Sequence, residues 1–246
     1  MSVENKVVVV TGGSRGLGRA MVEGFAARGA RVVVASRKFD SCKDLADEVQ
    51  EKYGVRALPI ACNVSEWDQC EALTEAAYAE FGQVDVLVNN AGISPLYPSL
   101  AEVGEALFDK VIGVNLRGPF RLSALIGTRM AEGSGGSIIN IGSIEAIRPS
   151  VHSLPYAAAK AGLNVLTEGF ARAFGPTVRV NTIQCGPFLT DIAESWPAGT
   201  REHFGETLAL RRCGEPSEVV DAALFFATSA SSFCTGATLR IDGGVA

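Results

Sequence analysis

The feature that most restricts this chain is a regular alternation. Short β-branched runs of strand length are separated by longer segments of helical period. "KVVVVTG" (6–12), "RVVVASR" (31–37), "VRALPIACNV" (55–64), "VDVLVNNAG" (84–92), "GSIINIGS" (136–143), "VRVNTIQCG" (178–186) and "ATLRIDGG" (237–244) read as strands by length and composition. Between them lie segments such as "RGLGRAMVEGFAARGA" (15–30), "DSCKDLADEVQEKYG" (40–54) and "SEWDQCEALTEAAYAEFG" (65–82). Asp40 or Ser41 is the expected N-cap of the second helix, and Ser65 opens the third, with Glu66 and Asp68 in its first turn. Runs apolar at consecutive positions are buried on both faces. Alternating with helices, they require a parallel sheet covered on each side. The expected fold is therefore a single doubly wound α/β domain of about seven strands spanning 1–246, with a mobile lid near 190–210 after the sixth strand.

Composition narrows the partners. Hydrophobic residues are 47% of the 246, enough for a large core and against disorder. The 27 acidic and 22 basic residues are interspersed, and no basic stripe marks a nucleic-acid surface. "VVVV" near the start is too short for a signal peptide or membrane span. Six cysteines form no CxxC pair and no metal-spaced cluster with histidine, so no metal is expected and the thiols read as reduced, in a cytoplasmic protein.

Two features point to a ligand. "TGGSRGLG" (11–18) joins the first strand to the first helix. Gly12, Gly16 and Gly18 permit a tight turn and close approach of backbone to a pyrophosphate, beside a helix N-terminus with a positive dipole end. A plain glycine turn is the bland alternative, and the strand–loop–helix setting counts against it. The second strand ends "ASRK", with Arg37 where an NAD-preferring fold carries an acid, Lys38 next, and Arg15 within the glycine loop. Paired guanidinium groups suit a ribose 2′-phosphate, so NADP(H) is expected over NAD(H), against the alternative of solvated surface charge.

Together with "CNV" (62–64), "NNAG" (89–92), "VNLRG" around Asn115, "NIGS" (140–143), "YAAAK" (156–160) and "IDGG" (241–244), these motifs resemble the short-chain dehydrogenases/reductases over nearly the whole length. The resemblance implies a catalytic set of Asn115, Ser143, Tyr156 and Lys160. It implies cofactor contacts from Gly12, Ser14, Arg15, Gly16, Leu17, Gly18, Ser36, Arg37, Lys38, Asn63, Val64, Asn90, Ala91, Gly92, Gly186, Pro187 and Thr190, as well as Tyr156 and Lys160. Asn89 joins the segment expected to cap the central strand. The chain departs from the family pattern at Cys185-Gly186-Pro187, where Pro-Gly is usual, and at Gly142, where serine is common.

Tyr156 and Lys160 are one helical turn apart and share a face. Alone, such a pair is usually a structural contact; in this company it reads as chemistry. Lys160 is expected to lower the phenol's pKa from about 10, Tyr156 to exchange a proton with the substrate oxygen, Ser143 to steady that oxygen, and Asn115 to hold a relay water. Substrate contacts are expected from Ser143, Glu145, Tyr156 and Phe188, with Leu96, Tyr97, Ile147, Trp196 and Phe204 as further lining and Arg148, His152 and Arg201 as polar anchors. His152 reads equally well as an exposed loop residue. A 3-oxoacyl-thioester reductase is ranked first. The alternatives are an NADP-linked sugar, polyol or steroid-type alcohol dehydrogenase, or an NADP(H)-binding sensor without turnover. A homotetramer or homodimer is expected from the resemblance and from the apolar helices around Asn115 and Tyr156.

Overall fold

The computed structural model describes residues 2–245 apart from 192, 194, 195 and 197. Strands β1 (Val7–Thr11), β2 (Arg31–Ser36), β3 (Ala57–Ala61), β4 (Val86–Asn89), β5 (Gly136–Ser143), β6 (Val178–Cys185) and β7 (Thr238–Ile241) form one sheet in the order β3-β2-β1-β4-β5-β6-β7. Every pairing among the described residues is parallel. The helices are α1 (Gly16–Ala26), α2 (Phe39–Tyr53), α3 (Trp67–Phe81), α4 (Glu105–Ile112), α5 (Gly118–Glu132), α6 (Leu154–Phe174), α7 (Thr200–Thr207) and α8 (Val220–Ala227).

The consecutive valines are explained by the two cores. Val8, Val10, Val32, Val34, Val86 and Val88 face Met21, Phe25, Leu45, Val220 and Phe226. Val7, Val9, Val33 and Leu87 face the opposite side, with Leu73, Leu122 and Ile126. A strand alternates its side chains between faces, so a strand buried on both must be apolar at every position. The edges are less covered: β7 is mostly exposed, which suits its shortness.

Helix starts differ slightly from the sequence expectation. Lys38 is the N-cap of α2, leaving Asp40 and Ser41 inside the helix, with Asp40 still complementing the dipole. Glu66, not Ser65, is the N-cap of α3, because Ser65 is held in the preceding turn by Asn63: its backbone N–H and its hydroxyl both donate to Asn63 Oδ1. Gly54 and Gly82 end α2 and α3 with φ of 68° and 75°.

The consequence for function is the crevice between β1 and β4. There the strand order reverses direction, and the carboxyl ends of both strands open toward one side, where ligands of such sheets bind. Behind it a buried polar chain crosses the sheet. Asn89 donates to Ser123 and Asn140, Asn140 donates to Thr167, and Thr167 pairs with Thr182, all at 2.8–3.0 Å.

Candidate active site

The loop after β1 is shaped by steric necessity. Gly12 and Gly16 have φ of 62° and 53°, a backbone region that favours glycine. Gly18 is tighter still: a Cβ there would lie 2.1 Å from the Gly12 carbonyl oxygen. The segment after β4 is latched onto this loop. Thr11 Oγ1 accepts the backbone N–H groups of Asn90 (3.0 Å) and Ala91 (3.1 Å), and the Asn90 side chain donates to the carbonyls of Thr11 (2.8 Å) and Gly12 (3.2 Å). Asn90 and Ala91 thus stand beside the glycine loop as expected, whereas the Asn89 side chain turns into the sheet interior. Thr11 was not singled out from sequence; its position as the last strand residue before the glycines was the available signal.

Around this cradle, Ser14 donates to Ser36 at 3.0 Å, joining the loop to the end of β2. Leu17 packs on the core as the loop becomes α1. Arg37 and Lys38 follow β2 directly and are exposed. Arg37 and Asn63 line a pocket of about 350 Å³ together with Lys110, Val114 and Arg117. Val64 lies beneath, its carbonyl packed so closely on Gly118 that a Cβ there would approach within 2.4 Å. Arg15 lies 3.8 Å from Asp191, so it is loosely paired with an acid instead of converging freely with Arg37. On the far side Thr190 packs against Gly16, 3.4 Å from where a Cβ would sit. These are features a dinucleotide would fill: a cradle closed to any larger side chain, helix N–H groups behind it, and at its end a pocket of mixed charge where Arg37, Lys110 and Arg117 stand with Glu66 and Asp109.

The loop path at the Cys185-Gly186-Pro187 departure is resolved by contacts. Gly186 donates to the Ile241 carbonyl at 2.9 Å, and a Cβ on it would lie 2.5 Å from Asp242 Cα. The Pro187 carbonyl accepts from Gly214 (2.9 Å), and Leu189 donates back to Gly214 (2.8 Å). Phe188 is consequently drawn inward. Its ring is buried in the core and packs on Gly214, and with Pro187, Leu210 and Arg212 it lines a small pocket of about 60 Å³.

The reactive groups meet at the carboxyl ends of β4 and β5. Ser143 ends β5, and its hydroxyl is close enough to the Tyr156 phenol to lower that group's pKa. Lys160, one turn along α6, is 3% exposed. Its ammonium donates to the Ile141 carbonyl at 2.7 Å and stands 5.7 Å from the Tyr156 ring centre. Asn115 sits in a wide π-helical turn (Gly113–Arg117) between α4 and α5. It donates to the carbonyls of Ile93 (2.8 Å) and Val111 (2.9 Å) and accepts from Ile93 N–H (3.3 Å). Gly92 separates it from the lysine: a Cβ there would be 3.0 Å from Asn115 Oδ1 and 3.7 Å from Lys160 Nζ. Asn115 and Lys160 thus flank Gly92, with Tyr156 one turn before Lys160 on α6 and Ser143 beside it.

Electrostatics at this point correct one expectation. Burial pushes the Tyr156 phenol up, not down, with the nearby Glu145 and Cys185 adding to the rise and the Ser143 hydroxyl opposing it. Burial also lowers the Lys160 ammonium, to about 8. Burial likewise raises the Cys185 thiol to about 12.

The loops flanking the site are pinned. Tyr97 is buried, and its hydroxyl donates to the Val151 carbonyl while accepting from Leu154 N–H, both at 2.9 Å. It acts as a clip between loops more than as lining. Ile147, Leu96, Arg148, His152 and Arg201 are exposed. Trp196 and Phe204 meet edge to face at 5.4 Å, and α7 occupies part of the expected lid; Pro197 and its neighbours 192, 194 and 195 lie outside the described residues. Among the described residues no group of three or more His, Cys, Asp or Glu is placed to hold a metal, and no helix is long and apolar enough to cross a membrane.

A parallel sheet with this strand order and a glycine cradle at its switch point defines a nucleotide-binding α/β protein. Similarity to known proteins specifies it further. A family model described as enoyl-(acyl carrier protein) reductase matches residues 12–246. The 3-oxoacyl-[acyl-carrier-protein] reductase FabG of Thermotoga maritima is 35% identical over 246 residues, covering 100% of this chain and 99% of that protein. L-rhamnose 1-dehydrogenase (NAD(P)(+)) of Azotobacter vinelandii is 36% identical over 253 residues, covering 100% and 98%. The crystal structure of L-sorbose reductase from Gluconobacter frateurii with NADPH and L-sorbose superposes with a TM-score of 0.92 at 28% identity, covering 99% of this chain and 97% of that one. The chain belongs to the short-chain dehydrogenase/reductase family. It is an oxidoreductase of CH–OH and ketone groups that uses a nicotinamide dinucleotide.

Proposed function

We propose that the protein interconverts a ketone and a secondary alcohol with NADP(H), using Tyr156 as the proton donor and acceptor. The single observation that supports this is the grouping of Ser143 with Tyr156, of Tyr156 with the buried Lys160, and of Lys160 with Asn115 across Gly92. The nicotinamide coenzyme supplies the hydride when bound. Gly12, Gly16, Gly18, Asn90, Ala91 and Thr190 would hold it, with Asn63, Val64, Arg37 and Lys38 toward its adenosine end.

In the reducing direction the substrate oxygen takes a proton from Tyr156 as the carbonyl carbon becomes C–H. Ser143 donates to the same oxygen and stabilises its developing negative charge. The raised pKa of Tyr156 keeps the phenol protonated and ready to donate. Lys160 stands behind it and can return the proton, and Asn115 holds the turn that borders Lys160. The absence of an acid at the end of β2 and the exposed Arg37–Lys38 pair support NADP(H) over NAD(H).

A self-associating molecule in the cytoplasm fits the remaining features. The six cysteines are free. An aromatic ladder, Trp67–Phe120–Phe170–Phe174, runs across α3, α5 and α6 with ring spacings of 6.3, 5.7 and 5.3 Å, its first two rings exposed and its last two partly buried against the core. We assign this face to a two-fold contact in a homodimer or homotetramer.

The test is NADPH oxidation with a panel of ketones. Wild-type protein is expected to turn over at least one. Tyr156→Phe should lose about 10²–10⁴-fold in kcat while NADPH affinity changes little. Arg37→Asp should reverse the coenzyme preference. Unimpaired turnover by Tyr156→Phe would overturn the assignment of the proton donor.

A further inference from the structure

Helix α6 carries Tyr156 and Lys160, and its first turn lacks the usual means of closing. The first N–H groups of a helix have no partner within it and are ordinarily met by the N-cap side chain. Ser153 is the N-cap here and makes no such bond; its hydroxyl donates to Glu145 instead. Pro155, the second residue of the helix, has no N–H to offer. The first N–H, that of Leu154, donates at 2.9 Å to the hydroxyl of Tyr97, 57 residues earlier in the chain. The same hydroxyl donates at 2.9 Å to the carbonyl of Val151, in the loop that leads into the helix. Tyr97 is buried, and a packed ring with two side-chain torsions holds its hydroxyl at a fixed point. The segment that carries it is tied to the site as well. Ile93 is bonded to the Asn115 side chain through both its carbonyl (2.8 Å) and its N–H (3.3 Å). Residues 93–97 thus run from the Asn115 turn to the start of α6, pinned at each end.

We propose that Tyr97 is a positioning residue for the reaction: through Leu154 it sets where α6 begins, and so where the Tyr156 hydroxyl, two residues on, stands relative to Ser143. This rests on the assignment of Tyr156 as proton donor and acceptor above. Proton transfer needs its two heavy atoms within hydrogen-bond reach, and a misplacement of about 1 Å can cost roughly 10²-fold in rate. Lys160, one turn further along, is held separately by its bond to the Ile141 carbonyl. The coenzyme cradle is held by Thr11 and Asn90. Loss of the Tyr97 hydroxyl therefore loosens the first turn of α6 while the lysine and the cradle keep their own anchors.

The experiment compares wild type, Tyr97→Phe and Tyr156→Phe with NADPH and two ketones of different size from the panel above, at temperatures well below each Tm, and follows amide hydrogen exchange at Leu154. Tyr97→Phe removes one oxygen atom and both of its bonds. Its kcat should fall about tenfold or more, by the same factor for both ketones, with the KM for ketone and the Kd for NADPH within about twofold of wild type. Exchange at Leu154 should be slow in wild type and faster in Tyr97→Phe, while amides later in α6 stay protected. A wild-type kcat in Tyr97→Phe would make the hydroxyl a helix cap without consequence for the reaction and overturn the inference. A loss confined to KM, or unequal for the two ketones, would make Tyr97 part of the substrate lining and overturn it too. Fast exchange at Leu154 in wild type does the same without any variant, since the bond would then not persist in solution. None of these three results touches the ketone-reductase reading. Unimpaired turnover by Tyr156→Phe overturns the proton-donor assignment itself, and the inference with it.

Discussion

Lys160 shows how far a single side chain can depart from what its neighbours in sequence suggest. The four-residue spacing to Tyr156 places both on one face of α6, yet the environment reverses the expected direction of the phenol's shift. Both groups are deprived of water, and neither charge is easily held. For the lysine the stability consequence has a definite sign. Its pKa falls from 10.5 to about 8 on folding, so the folded protein carries the full cost of a buried ammonium below pH 8. Between about 8 and 10.5 the folded state has released its proton and the unfolded state has not, and the cost fades as pH rises. The full difference is worth roughly 3 kcal/mol, less about 1 for the hydrogen bond to Ile141. Lys160→Met should therefore abolish turnover yet stabilise the free protein by about 2 kcal/mol at pH 7, a gain that shrinks toward pH 10. Denaturant melts across that pH range measure it; a gain independent of pH would show that the ammonium is not under strain.

Among the elements, the glycine loop and its latch act as one unit. Nearly every glycine expected to contact coenzyme is constrained by its own contacts: Gly12 by its positive φ and by Ala91 Cα, which a Cβ would approach to 2.9 Å, Gly18 by the Gly12 carbonyl, Gly186 by Asp242. Glycines outside the site can be equally positive in φ with nothing nearby, as Gly54 is. The two kinds should respond differently. Gly18→Ala should weaken NADPH binding by tenfold or more and lower Tm, because the added methyl displaces the loop that Asn90 and Thr11 hold. Gly54→Ala should cost about 1 kcal/mol of stability through backbone strain and leave coenzyme affinity unchanged. Paired calorimetric titrations and melts distinguish them.

For the whole molecule, the outer faces of α3 and α5 are where the proposed self-association is tested. Trp67 and Phe120 are 44% and 40% exposed, and Arg121 lies 4.4 Å over the Trp67 ring. An aromatic ladder of this kind on a solvent face is stabilised when a second copy covers it. Phe120→Glu should shift the sedimenting species to a smaller oligomer or a monomer, with the fold retained by circular dichroism. A wild-type monomer at micromolar concentration would show that this face serves another purpose.

The strand positions, the fold class and the family were legible in the linear chain, because β-branched runs, helical periods and glycine spacing are local signals with direct physical causes. The four residues proposed to carry the reaction were named from the same motifs. Their surroundings were not legible there. That Phe188 turns into the core, that Arg15 faces Asp191, that Thr11 latches Asn90, and that Glu145 is braced beside Ser143 all depend on contacts between segments tens of residues apart. The same holds for the direction of the Tyr156 shift. Desolvation is set by how many atoms from the rest of the chain exclude water around a group, and only the folded arrangement supplies that number.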